Sequence, residues 1–377
     1  MDQQATLNDV ATRVGVHRST VSLALRDHPR ISVRTRQRIK TVAEELGYRI
    51  NPLVAALMCT RRTGQPARHQ TIAFVTNYPS RFGWRPRQHN RPDFFPGAAR
   101  RARELGYKLE HFWFAEAGMT PKRFRDILVT RNIHGLLIAR MPPGQHSLEL
   151  PWDNFSVVAL GMTLRNPQFH HVTENHFDTA TQSIQRCVAK GYRRIGFVFS
   201  ENNDSPRVGA RWLAAYAHFQ YTHPEIDVLP VCPGDPADQL SFARWFSKER
   251  PDALVVTHSP PVLEWLRGFG CEVPRDVGLV GLQDSSSVGT AGVYCSPGKI
   301  GALATEMLTG LMYRNETGVP TVPYEIAITG RWQEGVTLPE KPATPARPGS
   351  PETARVTPSG PSDIFLENTP SLAGSSG

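Results

Sequence analysis

The sequence predicts two folds in one chain: a small all-α helix-turn-helix headpiece, then a larger α/β body of two parallel-sheet subdomains. Three observations carry this. Apolar residues recur at helical spacing through the first fifty residues, strand-like apolar runs alternate with amphipathic helices from Gln70 onward, and charge is divided unevenly between the two regions. Residues 1–68 hold 12 Lys and Arg against 5 Asp and Glu, whereas the other 309 residues hold 31 against 29. A basic head on a nearly neutral body fits a nucleic-acid module joined to a different module, because phosphate contacts supply most sequence-independent affinity. A basic flexible tail would not carry periodic apolar residues.

The headpiece reads as three short helices. Thr6 can cap the first, in which Leu7, Val10, Ala11 and Val14 share one face, and Gly15 ends it where a left-handed residue costs least. His17, Arg18, Ser19 and Thr20 open the second, with Val21, Ala24 and Leu25 facing inward and Arg18, Ser19, Ser22 and Leu23 facing out. Small Ala11, the turn at Gly15 and inward Val21 let two short helices cross closely, which is a helix-turn-helix. Ser32 can cap the third, with Ile39, Val42, Ala43 and Leu46 as its stripe and Gly47 as its stop. Next comes the short apolar stretch from Asn51 to Met58, with Pro52 suited to a first helical turn. Eight residues do not hold a helix in isolation. The polar, basic run from Arg61 to Arg68 then reads as a linker.

In the body the strand-like runs are TIAFVTN from Thr71, KLEHFWF from Lys108, GLLIA from Gly135, RIGFVFS from Arg194, DALVVT from Asp252 and VGLVGL from Val277. Helices are expected from Phe95, after Pro121, from Asp178 to Lys190, from Arg207, after Pro260 and from Lys299 to Tyr313. Such alternation means parallel sheets covered by helices on both faces, and a break near Gly161 divides it into two similar halves. Ligand sites in such sheets lie outside the carboxyl ends of the strands. The stretch from Tyr78 to Asn90 is long, basic and aromatic; it lines the cleft or lies on the surface. From Leu338 the chain turns to Pro, Ser, Thr and Gly, the composition of a disordered tail.

Several function classes are disfavoured. The five cysteines are dispersed and never spaced CxxC, which points to reduced thiols, and no cysteine or helical spacing completes a metal site around His170, His171 and His176. No apolar run approaches a membrane span and no signal segment precedes Leu7, so a cytoplasmic location is expected. A solute-binding protein would need a signal segment and no basic head. For an α/β enzyme, GxSxG, GxxxxGK[ST], GxGxxG after a strand and HExxH are all missing.

The run from Thr6 to Leu57 resembles the headpiece of the lactose-repressor/galactose-repressor family of bacterial regulators. The residues that carry the resemblance are Asp9-Val10-Ala11, Gly15-Val16 followed by Ser19-Thr20-Val21-Ser22, Thr35-Arg36, Glu45-Leu46-Gly47-Tyr48, and Asn51 six residues before Leu57. The resemblance implies that the second helix lies in the major groove with Arg18, Ser19 and Leu23 at base edges. Thr6, Thr20, Ser22, Arg30, Ser32, Thr35, Tyr48 and Asn51 fall where the family touches phosphates or supports the fit, and Leu7 joins that set. Arg18 on an exposed helix start also suits bidentate contact to guanine, against the plainer reading of a solvated charge. Leu23 departs from the arginine often found there and would read a thymine methyl or nothing. The resemblance further makes residues 51–58 a hinge helix that forms when two copies pair on DNA and sets Leu57 as a wedge in the minor groove. A linker, or part of the body core, is the alternative for that stretch.

Similarity in the body is diffuse, resting on GYRRIGFV from Gly191 and DVGLVGLQD from Asp276. It implies a periplasmic-binding-protein-like fold with a small-molecule effector in the cleft, and neither cofactor nor metal. By position Arg207 matches an arginine that grips effector hydroxyls or carboxylates, Asn175 and Asp178 fall near the cleft edge, and Gln283 and Asp284 follow a strand. Tyr78, Arg140 and His258 complete the expected effector set. Gln283 replaces an expected acid, and Thr257-His258-Ser259 stands where an Asn-Asp pair is usual, which puts a sugar effector in doubt. The implied protein is a transcription regulator, most often a repressor, binding a near-palindromic double-stranded DNA operator as a homodimer, with further pairing to a tetramer left open. The expected divisions are a headpiece at 1–50, hinge and linker at 51–69, a body at 70–337 and a tail at 338–377. Within the body, 70–161 with 290–319 forms one subdomain and 162–289 with 320–337 the other.

Overall fold

The structure, a computed structural model, describes residues 5–25, 30–46, 48, 70–85, 93–199, 205–232, 238–282 and 289–341. The hinge expected at 51–58, including Asn51 and Leu57, lies outside these residues, as do Gln283, Asp284 and everything from 342 onward.

Three helices form the headpiece: α1 (Leu7–Val14), α2 (Arg18–Ala24) and α3 (Val33–Glu45). Thr6 caps α1 through a capping box: its hydroxyl accepts from the Asp9 backbone at 3.3 Å, while the Asp9 carboxylate accepts from the Thr6 backbone at 2.7 Å. Those bonds hold the Asp9 carboxyl below its usual range. Gly15 follows at φ 73°, the left-handed conformation a glycine enters freely. Val10, Ala11, Val14, Val21, Ala24, Ile39 and Ala43 form one buried cluster, with Leu7, Leu25, Val42, Leu46 and Tyr48 packed around it. Each helix therefore buries the stripe that its periodicity predicts.

The body alternates as expected. Its first elements are β1 (Gln70–Thr76), α4 (Phe95–Glu104), β2 (Tyr107–Trp113), α5 (Pro121–Thr130), β3 (Gly135–Ile138), β4 (Ser156–Leu160) and β5 (His171–Glu174). Then come α6 (His176–Ala189), β6 (Arg194–Val198), α7 (Ser205–Val208), α8 (Arg211–Thr222), β7 (Asp227–Val228), α9 (Gln239–Glu249), β8 (Ala253–Val256), α10 (Ser259–Gly268), β9 (Gly278–Gly281) and β10 (Ala291–Tyr294). The chain ends this domain with α11 (Pro297–Arg314), β11 (Glu325–Ile328) and β12 (Arg331–Gln333). One sheet runs β11-β5-β4-β3-β1-β2 and is parallel throughout; the second runs β12-β10-β9-β8-β6-β7, with β12 alone antiparallel. Helices on both faces bury β3, β4 and β8 at every residue, which is why these strands read as unbroken apolar runs. Helix α11 crosses α4 by backbone contact: a Cβ on Gly301 would stand 2.1 Å from the Phe94 carbonyl oxygen.

Sheet membership moves the expected subdomain limits. β5 and β11 both belong to the first sheet, whereas β10 belongs to the second. The chain therefore crosses between subdomains at Asn175, between Tyr294 and Pro297, and between Ile328 and Arg331, rather than near 161, 290 and 320. The physical reason is pairing across sequence: β5 completes β4 on one side and takes β11 on the other, so neither can join the second sheet. The crossings abut, with the Asn175 backbone donating to the Ile328 carbonyl at 2.9 Å and Thr179 Oγ1 3.8 Å from Cys295 Sγ. The tail limit also moves, since Leu338 is fully buried in the second subdomain's core beside Tyr192 and the Lys341 backbone donates to the Lys190 carbonyl at 2.9 Å. The helix expected from Arg207 is broken, because Gly209 and Ala210 take φ 64° and 57° between α7 and α8. The four described cysteines form no disulfide with one another.

Candidate nucleic-acid interface and effector cleft

The outer face of α2 is set by its cap. His17 Nδ1 accepts from the Ser19 backbone at 3.3 Å and lies 2.8 Å from the Ser19 hydroxyl, so α2 begins with Arg18 as its first residue. Arg18 and Ser19 are exposed, while Thr20, Ser22 and Leu23 are half-buried. Arg18 makes no hydrogen bond or ion pair among the described residues, which leaves its guanidinium whole for an outside partner. Leu23 is therefore less exposed than expected, yet it lies outside the head's buried cluster. Ser32 caps α3 by accepting from the Thr35 backbone at 3.2 Å, and its hydroxyl lies 2.8 Å from that of Thr35. Arg30 and Ser32 are exposed, Thr35 half-buried. Leu7 and Tyr48 rest against the head's core, so Leu7 has its backbone rather than its side chain to present. Arg38 Nη2 donates to the Val14 carbonyl at 3.2 Å, fixing α3 across the end of α1.

In the body, three of the expected effector residues converge. Tyr78 follows the carboxyl end of β1, Arg140 that of β3, and Arg207 reaches over from α7 of the other subdomain. They line one pocket with Phe74, Trp84 and Phe94, and Arg207 Nη1 donates to the Met141 carbonyl at 3.2 Å across the cleft. The space left between them is about 20 Å³, room for about one water, so this pocket is closed. The described part of the stretch after β1 divides between the two readings: Tyr78 and Trp84 line the pocket, whereas Pro79, Ser80, Arg81, Phe82 and Arg85 are exposed. The Trp84 side chain is held by its neighbours. Its ring lies 5.1 Å from Phe74, 5.7 Å from Phe95 and 5.4 Å from His111, with the Arg85 guanidinium 4.2 Å above it.

Three other expected grips do not line this pocket. Asn175 caps α6 by accepting from the Asp178 backbone at 3.2 Å, and Asp178 accepts from Gln182 at 2.6 Å; neither lines this pocket. His258 stands at the start of α10 without capping it and is also not part of the lining. The three histidines are separated by their partners: His170 stacks on Tyr324 at 3.8 Å, His171 Nε2 meets Glu325 at 2.8 Å, and His176 is buried against Trp212.

Sequence reasoning missed a buried ionisable pair within the electrostatic reach of Arg140. Glu174 ends β5 and His176 begins α6, with His176 Nε2 3.8 Å from Glu174 Oε2. Burial pushes the Glu174 carboxyl up while the Arg140 charge pulls it back. Burial, with Arg140 and Arg211 nearby, pushes His176 down to about 3. The only sequence signal was two ionisable residues flanking a strand end. Arg211, at the start of α8, also bridges the subdomains by gripping Glu325 with both nitrogens, at 2.5 and 2.8 Å. Glu325 borders a larger cavity of about 770 Å³ with Met162, Phe169, Gly209 and Tyr324. That cavity opens at the amino ends of β5 and β11, and Glu325 is already bound there by Arg211 and His171. The smaller pocket, at strand carboxyl ends, holds the better claim as a ligand site.

Comparison with known proteins agrees with this architecture. The model of bacterial regulatory proteins of the lacI family matches residues 6–51, and that of the periplasmic binding protein-like domain matches residues 184–333. The HTH-type transcriptional regulator CelR of Thermobifida fusca is 25% identical over 305 residues, 75% of this chain and 83% of its own. The HTH-type transcriptional repressor CytR of Escherichia coli (strain K12) is 22% identical over 288 residues, 74% and 80% of the two chains. Among solved structures, a CelR–cellobiose complex superposes with a TM-score of 0.52 at 20% identity, covering 88% of this chain and 99% of that one. The lac repressor dimer bound to operator and an anti-inducer gives 0.51 at 18% identity, covering 89% and 100%. The chain thus carries a DNA-binding domain of the lacI family of bacterial regulatory proteins at residues 6–51 and a periplasmic binding protein-like domain at residues 184–333, and the curated relatives it resembles are HTH-type transcriptional regulators.

Proposed function

We propose that this protein is a repressor that binds a near-palindromic operator as a homodimer and is controlled by a small molecule held between the body's subdomains. The observation that carries the reading is the pairing of an unencumbered Arg18 at the exposed start of α2 with a separate pocket shared by Arg140 and Arg207 from opposite subdomains. Helix α2 enters the major groove, Arg18 and Ser19 meet base edges, and Leu23 contacts a thymine methyl. Thr6, Leu7, Thr20, Ser22, Arg30, Ser32, Thr35, Tyr48 and Asn51 hold the head to the phosphates or shape it. Residues 51–58 form a hinge helix on DNA with Leu57 as its wedge. The regulator works in the cytoplasm. A ligand seated between Arg140 and Arg207 contacts both subdomains, so its binding biases their relative position, and hence the spacing of two heads in a dimer. Selection of bound sequences from a random DNA pool tests the reading. Recovery of a two-fold-related pair of half-sites is expected, and recovery of unrelated sequences overturns it.

A further inference from the structure

Resting on the DNA-binding reading, we infer that His17 fixes Ser19 as a hydrogen-bond acceptor, so that Ser19 reads a base amino group, adenine N6 or cytosine N4, rather than a guanine or thymine oxygen.

A serine hydroxyl is an ambiguous reader. It carries one donor proton and two acceptor lone pairs and rotates to suit, so a free serine pairs with a base edge of either polarity. At Ser19 the residue that precedes α2 removes the choice.

The backbone decides first. The Ser19 amide is one of the donors that a helix start leaves without a carbonyl of its own, and it donates to His17 Nδ1 at 3.3 Å. A backbone N–H can only donate, so Nδ1 is the acceptor and holds no proton. The imidazole is therefore neutral, with its hydrogen on Nε2. The Ser19 hydroxyl lies 2.8 Å from the same Nδ1. Since that nitrogen has no proton to give, the hydroxyl gives its own. Ser19 Oγ donates to Nδ1, and lone pairs are what it keeps for an outside partner.

Those lone pairs lie on the side of α2 that faces away from the head. His17, Arg18 and Ser19 are all exposed, while Val21 and Ala24 turn into the buried cluster. In the major groove the amino groups of adenine and cytosine are donors, whereas guanine N7 and O6 and thymine O4 are acceptors. An acceptor set against Ser19 would either meet lone pairs or draw the hydroxyl off Nδ1, and each choice leaves a polar atom short of a partner once water is expelled. Arg18, next in the chain, has the opposite polarity, with five donors and no acceptor. A half-site then holds a guanine for Arg18 and, at a separate position, an adenine or a cytosine for Ser19. His17 is a positioning residue, acting on the base through Ser19.

The test uses the full-length protein and the operator selected from a random pool, with single atoms removed from the DNA. Each adenine of one half-site is replaced in turn by purine, which lacks the N6 amino group, and each cytosine by 2-pyrimidinone, which lacks the N4 amino group. At one position the wild type should lose roughly 2- to 10-fold in affinity, the worth of one hydrogen bond. Ser19→Ala should lose nothing further there. At that position the wild type should also prefer the amino-bearing base to guanine or thymine by roughly fivefold or more. His17→Gly keeps a residue tolerated at a helix cap and frees the hydroxyl to rotate, so this preference should narrow to within about twofold, with preferences elsewhere and the melting temperature little changed. Guanine or thymine as the selected base at the Ser19-dependent position overturns the assigned polarity. A His17→Gly protein that keeps the preference, or that binds every sequence more weakly by the same factor, makes His17 a cap and nothing more. If Ser19→Ala changes preference at no position, Ser19 is not a reader and sequence-specific binding by the head still stands. If the wild type itself shows no sequence preference, the DNA-binding reading falls with it.

Discussion

Replacing Arg18 with alanine separates reading a base from holding the backbone. Arg18 is exposed at the first position of α2 and has no hydrogen bond or ion pair among the described residues, so the folded head loses nothing when the side chain goes. Alanine and arginine are both good helix formers, and the expected stability change is within about 0.5 kcal/mol. A bidentate contact to guanine is worth about 1 to 3 kcal/mol of discrimination. In a dimer the two copies act at half-sites about one DNA turn apart and their losses add, giving roughly 2 to 6 kcal/mol on the whole operator. Competition titrations on the selected operator and on random DNA, each at several salt concentrations, measure both quantities. Operator affinity should fall steeply and random-DNA affinity little, with the salt dependence nearly unchanged because no phosphate contact is lost. An equal loss on both DNAs, with a salt slope reduced by about one contact per copy, would refute base reading and make Arg18 a backbone residue.

Leu57→Ser should weaken operator binding far more than random-DNA binding and reduce the bend, with thermal unfolding nearly unchanged. A large melting loss with an unaltered bend contradicts the wedge. Leu338→Ala should cost about 2 to 5 kcal/mol in denaturant unfolding, since the side chain is fully buried in the second subdomain; a change below about 0.5 kcal/mol would return it to the tail. His176 should make the body acid-sensitive. Its folded pKa is pushed from 6.5 to about 3, so the unfolded chain takes up a proton that the folded one refuses, and stability falls as pH drops from 6.5 towards 3. One proton limits that slope to about 1.4 kcal/mol per pH unit. Glu174, pushed upward, titrates with the opposite sign, so the difference between wild type and His176→Gln isolates the imidazole. Equal acid sensitivity in the two proteins excludes it.

The head was legible because each of its helices buries a face defined within a few residues of chain. Val10, Ala11 and Val14, Val21 and Ala24, and Ile39 and Ala43 are the buried residues that their spacing indicated. In the body, β1, β3, β8 and β9 were legible as unbroken apolar runs, a consequence of helices on both sheet faces. The crossings were not. They depend on β5 pairing with β11 across 154 positions, and β11 is a half-exposed strand whose Glu325 and Ile326 give no run to detect. Helix α9 escaped for a related reason, since only Phe242 and Trp245 are buried in it. Leu338 is one apolar residue in a Pro- and Thr-rich stretch, and composition averaged over a window hides a single anchor. At the site, Tyr78, Arg140 and Arg207 were legible from their places after strands or by resemblance. Trp84 lay unremarked in an aromatic stretch, and Asn175 looked like a ligand grip although an asparagine three residues before Asp178 at a helix start is a cap signal.

In the proposed function a basic head recognises a particular DNA sequence through groove and phosphate contacts made together. The most direct measurement is the affinity of the full-length protein for its selected site and for random DNA as salt is raised from about 50 to 200 mM. Affinity for the selected site should exceed that for random DNA by about 10³-fold or more, and both should fall steeply with salt. A flat salt response, or equal affinity for the two DNAs, would contradict it.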